Sequence, residues 1–502
     1  MIFERDYMIY KNYFLCLILI YCIGIGLRLY WANNKENMHQ DEVATFSISE
    51  CDGAYYSPDV KVPPKVTATG KDIKRFFFIH DNRIKGTLHD LRYMWHNVYD
   101  YNHTNFYYSL IRIFFTGSNT TDVKSINIRG ILLNLFFFTL SFIVLLHILQ
   151  LYYSTRKELI LLTMFCYTTM VGSVSNALFI RPYELQTLTV LLLAYWLTKI
   201  KIRIKSGYWR YGWKEFLLMS VILAAVLLTG YFMIGFVLIY GIFMLIETYK
   251  HNNFYKGSLF FIGTGIVAIL LCWLCYQSYF LGFGGDARIA SKMSELGIVS
   301  LVTDTISTWF ELITNNTLHL PILILSLIAI IYGRGQRQIP HVFFPALIFS
   351  FAVMILAPYK NNRYMVAVTP LLLLIIPAAT QCFKNIKVRW IYILITIITY
   401  ISMSIQEKNI STLYPRKTPL EMLNEKRRKV YLIQRDHWEI SPFVAVLNDD
   451  ITYNISDTLY TESLCSGDVV VYSTNSNDTT LLKDCRFEKK GRYGYHNFYR
   501  VK

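Results

Sequence analysis

The residues best placed to do chemistry stand in Met38-His39-Gln40-Asp41-Glu42, a few residues after the apolar run Tyr13 to Trp31. That run is long enough to cross a bilayer, so the two adjacent carboxylates fall at or just beyond a membrane surface. A carboxylate at such a mouth can serve as a positioned base toward an acceptor hydroxyl, while its neighbour orients substrate or holds a cation. On these residues alone, a hydrated loop start is the readier reading. Three further clusters combine polar and aromatic residues: Asp100-Tyr101-Asn102-His103 continuing to Tyr107-Tyr108, Arg181-Pro182-Tyr183-Glu184, and Asn361-Asn362-Arg363-Tyr364 followed by Pro370. Taken singly, His103 reads as an interfacial hydrogen-bonding residue, and Arg181 and Arg363 read as snorkelling helix-end residues.

The elements that must position these clusters are apolar. The 502 residues are 54% hydrophobic and 16% aromatic, with mean hydropathy +0.33, which is too apolar for an ordinary globular chain of this length. A mainly α, polytopic transmembrane bundle follows. The net charge of +16 would suit nucleic acid, but much of it lies in short loops between apolar runs, which is a topology signal. Nucleic acid is therefore not an expected partner.

About eleven spans are expected: near 13–31, 128–150, 158–179, 183–198, two within 216–247 that turn at Thr229-Gly230-Tyr231, 258–280, 318–332, 341–357, 364–380 and 388–404. The first lacks a small-residue cleavage site and is flanked by Tyr and Trp, so it reads as a retained anchor. Its one charge, Arg28, is expected to snorkel from the outer end. Basic loops at Lys199 to Lys214, Arg334 to Arg337 and Lys384 to Arg389 alternate with poorly charged ones, which places the N-terminus inside and Asp41 outside.

Two domains are expected. Residues 1–404 form the transmembrane domain, with a long first outer loop at 32–125, and 405–502 form a small α/β outer domain with strands near 429–434, 443–447, 468–473 and 495–501. Cys465 and Cys485 are the only cysteines of that tail and suit a disulfide if it lies outside the cytoplasm.

With that topology, all four clusters fall on the outer side at the ends of separate helices. Acids, a histidine and two arginines gathered there could bring a lipid phosphate carried in the bilayer to a hydroxyl acceptor. A cytoplasmic N-terminus, one helix and an outer loop opening with Asp-Glu resembles the GT-C superfamily of polyprenyl-phosphate-sugar glycosyltransferases. The branch it looks most like contains the protein O-mannosyltransferases and the lipid A aminoarabinose transferase. Asp100 to Tyr108 is similar to that family's Asp…His-Pro-Pro-Leu-Tyr-Tyr loop, without the two prolines. Ala177 to Tyr183 resembles its Arg-x-Tyr helix start, and Arg363-Tyr364 with Pro370 its late Arg-Tyr…Pro signature.

The resemblance implies an inverting transfer with Asp41 as base, assisted by Glu42, and substrate contacts from Asp100, His103, Tyr107, Arg181, Tyr183, Arg363 and Tyr364. It further implies a polyprenyl-phosphate-linked sugar donor and a lipid, glycan or protein acceptor. Some relatives hold a divalent metal ion nearby, but no clear ligand set for one stands in this sequence. Heavy use of Asn, Ile, Lys and Tyr with little Pro suits an AT-rich bacterial source, hence an inner membrane and undecaprenyl phosphate. A transporter or flippase, or a polysaccharide polymerase or ligase, would share much of this layout. The former calls for internal repeats and ionisable residues deep in the helices, which are not evident, and the latter lacks the early Asp-Glu placement.

Overall fold

The computed structural model describes residues 2–50, 66–97, 100, 103–118, 122–207, 211–284, 298–333, 339–357, 360–414, 418–426, 428–434, 439–459, 464–473, 486–494 and 496–502. It divides into two compact units. The first holds residues 1–31, 95–107 and 131–411, and the second residues 32–94, 108–130 and 412–502.

In the first unit the eleven expected spans each have a helical counterpart, but of unequal length. Among the described residues, six single helices are long and apolar enough to cross a membrane: Asn12–Asn34, Val123–Tyr153, Tyr183–Lys205, Met233–Lys250, Phe254–Cys275 and Ile386–Ser404. Two bent pairs, Lys157–Thr169 with Val171–Leu178 at 48° and Val302–Asn316 with Leu320–Tyr332 at 101°, raise the number to eight. The other counterparts are short, Trp213–Leu227 and Phe343–Leu356, or broken, where the expected span 364–380 becomes two 3-10 turns and the helices Thr369–Leu372 and Ile375–Cys382. Pro370 and Pro377 lack the N–H that a continuous ladder needs there.

The expectation for Arg28 is overturned. Its side chain is fully buried, and its guanidinium lies 3.6 Å from the Phe138 ring centroid. Nη1 donates to Gly24 O at 2.9 Å and Thr168 O at 2.8 Å, and Nη2 to Ser173 Oγ at 2.6 Å. The helix break after Thr169 leaves carbonyls without the i+4 donor of a continuous helix, and Arg28 supplies donors across it. A fixed set of acceptors replaces water, so the charge need not leave the interior.

The second unit carries a six-stranded sheet in the order β1-β3-β2-β4-β6-β5. Its strands are β1 (Val66–Thr69), β2 (Val430–Ile433), β3 (Thr452–Ser456), β4 (Val469–Ser473), β5 (Phe487–Tyr493) and β6 (His496–Val501). β2 runs parallel to β3 and β4, and the remaining pairings are antiparallel. The apolar runs of β2 and β4 are buried, as central strands covered on both faces must be.

β1 comes from the first loop and pairs with β3 of the tail, so loop and tail share one sheet. The expected strand 443–447 is instead a 3-10 turn, Val444–Val446. After β1, the helix Gly70–Phe77 approaches so closely that a Cβ on Gly70 would lie 2.0 Å from Asn448 O, a contact that only glycine permits. The helices Ile84–His96 and Phe106–Phe114 are tied by a buried ion pair, Arg112 Nε to Asp90 Oδ2 at 2.6 Å. Cys465 is exposed, and Cys485 lies outside the described residues.

His496 in β6 is fully buried edge-on to Phe443, and burial lowers its imidazole to about 4. Between that value and 6.5 the unfolded chain binds a proton that the folded one does not. Stability should therefore be level above pH 6.5 and fall as pH drops toward 4, by up to about 3 kcal/mol from this site. Melting curves between pH 7.5 and 4.5 check it: His496→Gln should flatten the acid limb, and an unchanged limb would remove His496 as its source.

Candidate functional site

In the first unit, two distant stretches meet. Arg181 Nη2 donates to Asp100 Oδ2 at 2.7 Å, and His103 Nδ1 lies 3.1 Å from the same oxygen and 3.2 Å from Arg181 Nη2. With the proton assigned to Nδ1, Asp100 accepts from both neighbours and the lone pair is left on His103 Nε2. Burial holds the imidazole below the ordinary histidine value. The charge of Asp100 pulls it up, and those of Arg181 and Arg363 push it down again. The Tyr183 ring stands edge-on to His103 at 5.4 Å and stacks on Phe179 at 5.9 Å.

This geometry has a local cause. Pro182, lacking an N–H, opens the helix Tyr183–Lys205, where that donor would be spare in any case, and the chain before it turns through Phe179 to Arg181. Asn134, in the long apolar helix Val123–Tyr153, fixes the turn: its Nδ2 donates to Phe179 O at 2.7 Å and Ala177 O at 3.3 Å. Its Oδ1 accepts from Tyr107 Oη at 2.8 Å. One amide thus joins the Asp100–Tyr107 segment to the Arg181 turn. Thr104 Oγ1 adds a bond to Leu228 O, and Gln186 Nε2 one to Thr229 O, which ties in the turn between Trp213–Leu227 and Met233–Lys250.

Arg363 sits in the 3-10 turn Asn362–Tyr364, its backbone N–H capped by Asn361 Oδ1 at 3.2 Å. Its guanidinium lies 5.2 Å from the Tyr364 ring centroid, and Tyr364 packs edge-on to Phe232. Unlike Arg181 it is only half-buried. Tyr107, Tyr183 and Tyr364 are all buried, and of the three Tyr183 lies against His103. Tyr101 and Asn102 lie outside the described residues.

Asp41 and Glu42 belong to the second unit, in the first turn of the helix Gln40–Ser49. His39 caps that helix, its Nδ1 accepting the Asp41 N–H at 3.1 Å. Glu42 Oε2 accepts the His39 N–H at 2.8 Å, and Oε1 pairs with Lys35 Nζ, both side chains being fully shielded. Burial lowers the Lys35 ammonium, and Glu42 acts against that. The two acids therefore differ: Glu42 is spent on the cap and the buried pair, whereas the Asp41 side chain keeps 15% exposure.

Asn134 and Lys35 were not among the sequence-derived candidates. An amide alone amid apolar residues was the available signal for the first; the second carried none. Among the described residues, no three His, Cys, Asp or Glu side chains gather as a metal's ligands would.

No family model and no curated protein matches the chain. Among solved structures, the crystal structure of the Archaeoglobus fulgidus oligosaccharyltransferase in complex with zinc and sulfate is similar, with a TM-score of 0.46 and 13% identity, over 86% of this chain and 61% of that one. The chain thus spans less than two thirds of that protein's length, and a likeness at this level leaves the activity to be argued from the chain's own residues.

Proposed function

We propose that the chain is an integral membrane, inverting glycosyltransferase of the GT-C type that moves a sugar from a polyprenyl phosphate to an acceptor hydroxyl. The observation that carries this reading is the meeting of Asp100, His103 and Arg181 within 2.7 to 3.2 Å, since these residues come from two of the motifs on which the family resemblance rests. Asp41 takes the acceptor proton as the hydroxyl oxygen attacks the anomeric carbon. The bond to the phosphate oxygen breaks on the opposite face, and its electron pair leaves with the polyprenyl phosphate. Arg363 meets the charge that grows on that phosphate. Asp100, His103 and Arg181 hold the surrounding turn, and Glu42 is a positioning residue for Asp41. Undecaprenyl phosphate as carrier, a bacterial inner membrane and an outward-facing site complete the proposal.

The test is reconstitution of the purified chain in liposomes with a panel of polyprenyl-phosphate monosaccharides, following release of the free polyprenyl phosphate. Release that depends on an added hydroxyl acceptor, with inversion at the anomeric carbon, is expected. No release from any donor under conditions where the protein stays folded would overturn the reading.

One observation favours the transport reading: Arg28 and Glu184 are ionisable and buried in the first unit. Arg28, however, is held by three fixed acceptors, which suits a structural cation better than a moving charge. Sidedness is tested separately. A single cysteine placed near Lys205 should resist a membrane-impermeant thiol reagent in intact cells while one in the tail reacts; labelling near Lys205 would invert the topology.

A further inference from the structure

The helix Gly70–Phe77 buries Ile73 and Phe77 and turns Lys71, Lys74 and Arg75 the other way. Spacings of three and four residues put these cations on one face, where they repel one another. The helix is nonetheless held rigidly by the reciprocal cap between Thr69 and Asp72 and by the contact of Gly70 with Asn448. That face opens on a cleft of about 390 Å³ with Phe78 and Ile126 in its wall and His80 beside the cations. Among the residues lining it the one acid is Asp449, which pairs with Lys74 Nζ at 2.8 Å.

Lys74 and Asp449 also line a second cleft, of about 700 Å³, in the same unit. Its wall includes Asn33 and Lys35 to Met38, the residues that lead into His39 and Asp41. Glu36, Asp122 and Glu421 line it together with Lys35 and Lys124, so a cationic pocket with apolar walls adjoins a trough of mixed charge that reaches the segment bearing the proposed base, and the anion belongs in the first cleft. An excess of positive charge beside buried aromatic and aliphatic carbon suits a ligand that joins an anionic phosphate to an apolar group.

We infer that the two clefts form the acceptor site of the transferase and that the acceptor carries a phosphate, its anion held by Lys71, Lys74 and Arg75. This inference rests on the proposed function. The phosphate can belong to a lipid headgroup or to a soluble phosphorylated glycan, and the probes below separate the two.

The full chain in phosphatidylcholine nanodiscs is titrated with dioctanoyl phosphatidate, glycerol 3-phosphate and neutral dioctanoylglycerol. Phosphatidate should bind about tenfold or more tightly than the neutral lipid, and Lys71→Glu with Arg75→Glu should weaken it by at least about tenfold. Lys489→Glu with Lys502→Glu, an equal charge change on the same unit, should leave binding unchanged. Glycerol 3-phosphate binding as tightly, and weakened equally by the first pair, supports the anion site and assigns it to a soluble phosphorylated acceptor. Equal affinity for phosphatidate and the neutral lipid, or a variant with an unchanged melting temperature that binds as wild type, overturns the inference. If the anion binds but no sugar is transferred from any donor, the transferase reading falls while the anion site stands. If transfer proceeds and the acceptor KM is unaffected by Lys71→Glu with Arg75→Glu, the anion site falls while that reading stands.

Discussion

Asp41→Asn is expected to lower turnover by about 100-fold or more while leaving donor binding in place. The substitution keeps size and polarity and removes only the ability to take a proton, and general-base catalysis by one side chain is worth roughly that much. The backbone should not move. Asp41 contributes its N–H to the His39 cap, and the reciprocal half of the cap comes from Glu42, both of which survive the change. Glu42→Gln gives the contrast: it removes the charge facing the buried Lys35 ammonium, and breaking a buried pair costs about 3–5 kcal/mol. Asp41→Asn should thus be a folded, inactive protein, and Glu42→Gln a destabilised one with residual turnover. Single-turnover rates alongside melting temperatures separate them. Near-normal turnover by purified Asp41→Asn would remove it as the base.

The neighbouring acids show where the sequence was legible and where it was not. Hydropathy placed the helices because apolar runs must become helices in lipid, and each expected span has a counterpart. Which of two adjacent carboxylates is buried in an ion pair with a lysine is a matter of partners. The spacing His39-x-x-Glu42 matches a reciprocal cap, a legible signal obscured because histidine is an unusual cap residue. Its second partner, Lys35, gave no pattern to read.

Arg28 was misjudged for a related reason. A charge near a helix end normally reaches water, and only the break after Thr169, invisible to a hydropathy window, supplies acceptors inside. The sheet escaped for want of local information. β1 is four residues long and only partly buried, and its partner β3 lies in the tail, so nothing near Val66 announces the pairing. By contrast, Asp100, His103 and Arg181 were each singled out because polar residues at the ends of apolar helices are few, although their contact with one another was not foreseen.

Arg181 and Arg363, which the sequence suggests converge on the donor phosphate, should prove unequal when each is replaced. Arg181 is 6% exposed and already committed to Asp100, with His103 beside it. Arg181→Ala would leave the Asp100 carboxylate buried without its cation, at a cost of about 3–5 kcal/mol, so its first effect is a lower melting temperature. Arg363 is half-buried, lies against the Tyr364 ring and has its Nη2 3.5 Å from the Tyr364 hydroxyl, contacts that orient a planar guanidinium. A charged hydrogen bond to phosphate is worth about 1.5–3 kcal/mol, so Arg363→Ala should lower kcat/KM for donor by about 10- to 100-fold. Arg363→Lys should fall between, because an ammonium offers a point charge without the two-pronged geometry. The melting temperature of both Arg363 variants should stay near wild type. Donor saturation curves decide the matter: if Arg363→Lys and Arg181→Lys both keep wild-type KM and turnover, neither arginine grips a phosphate and both are anchors of the helix ends they begin.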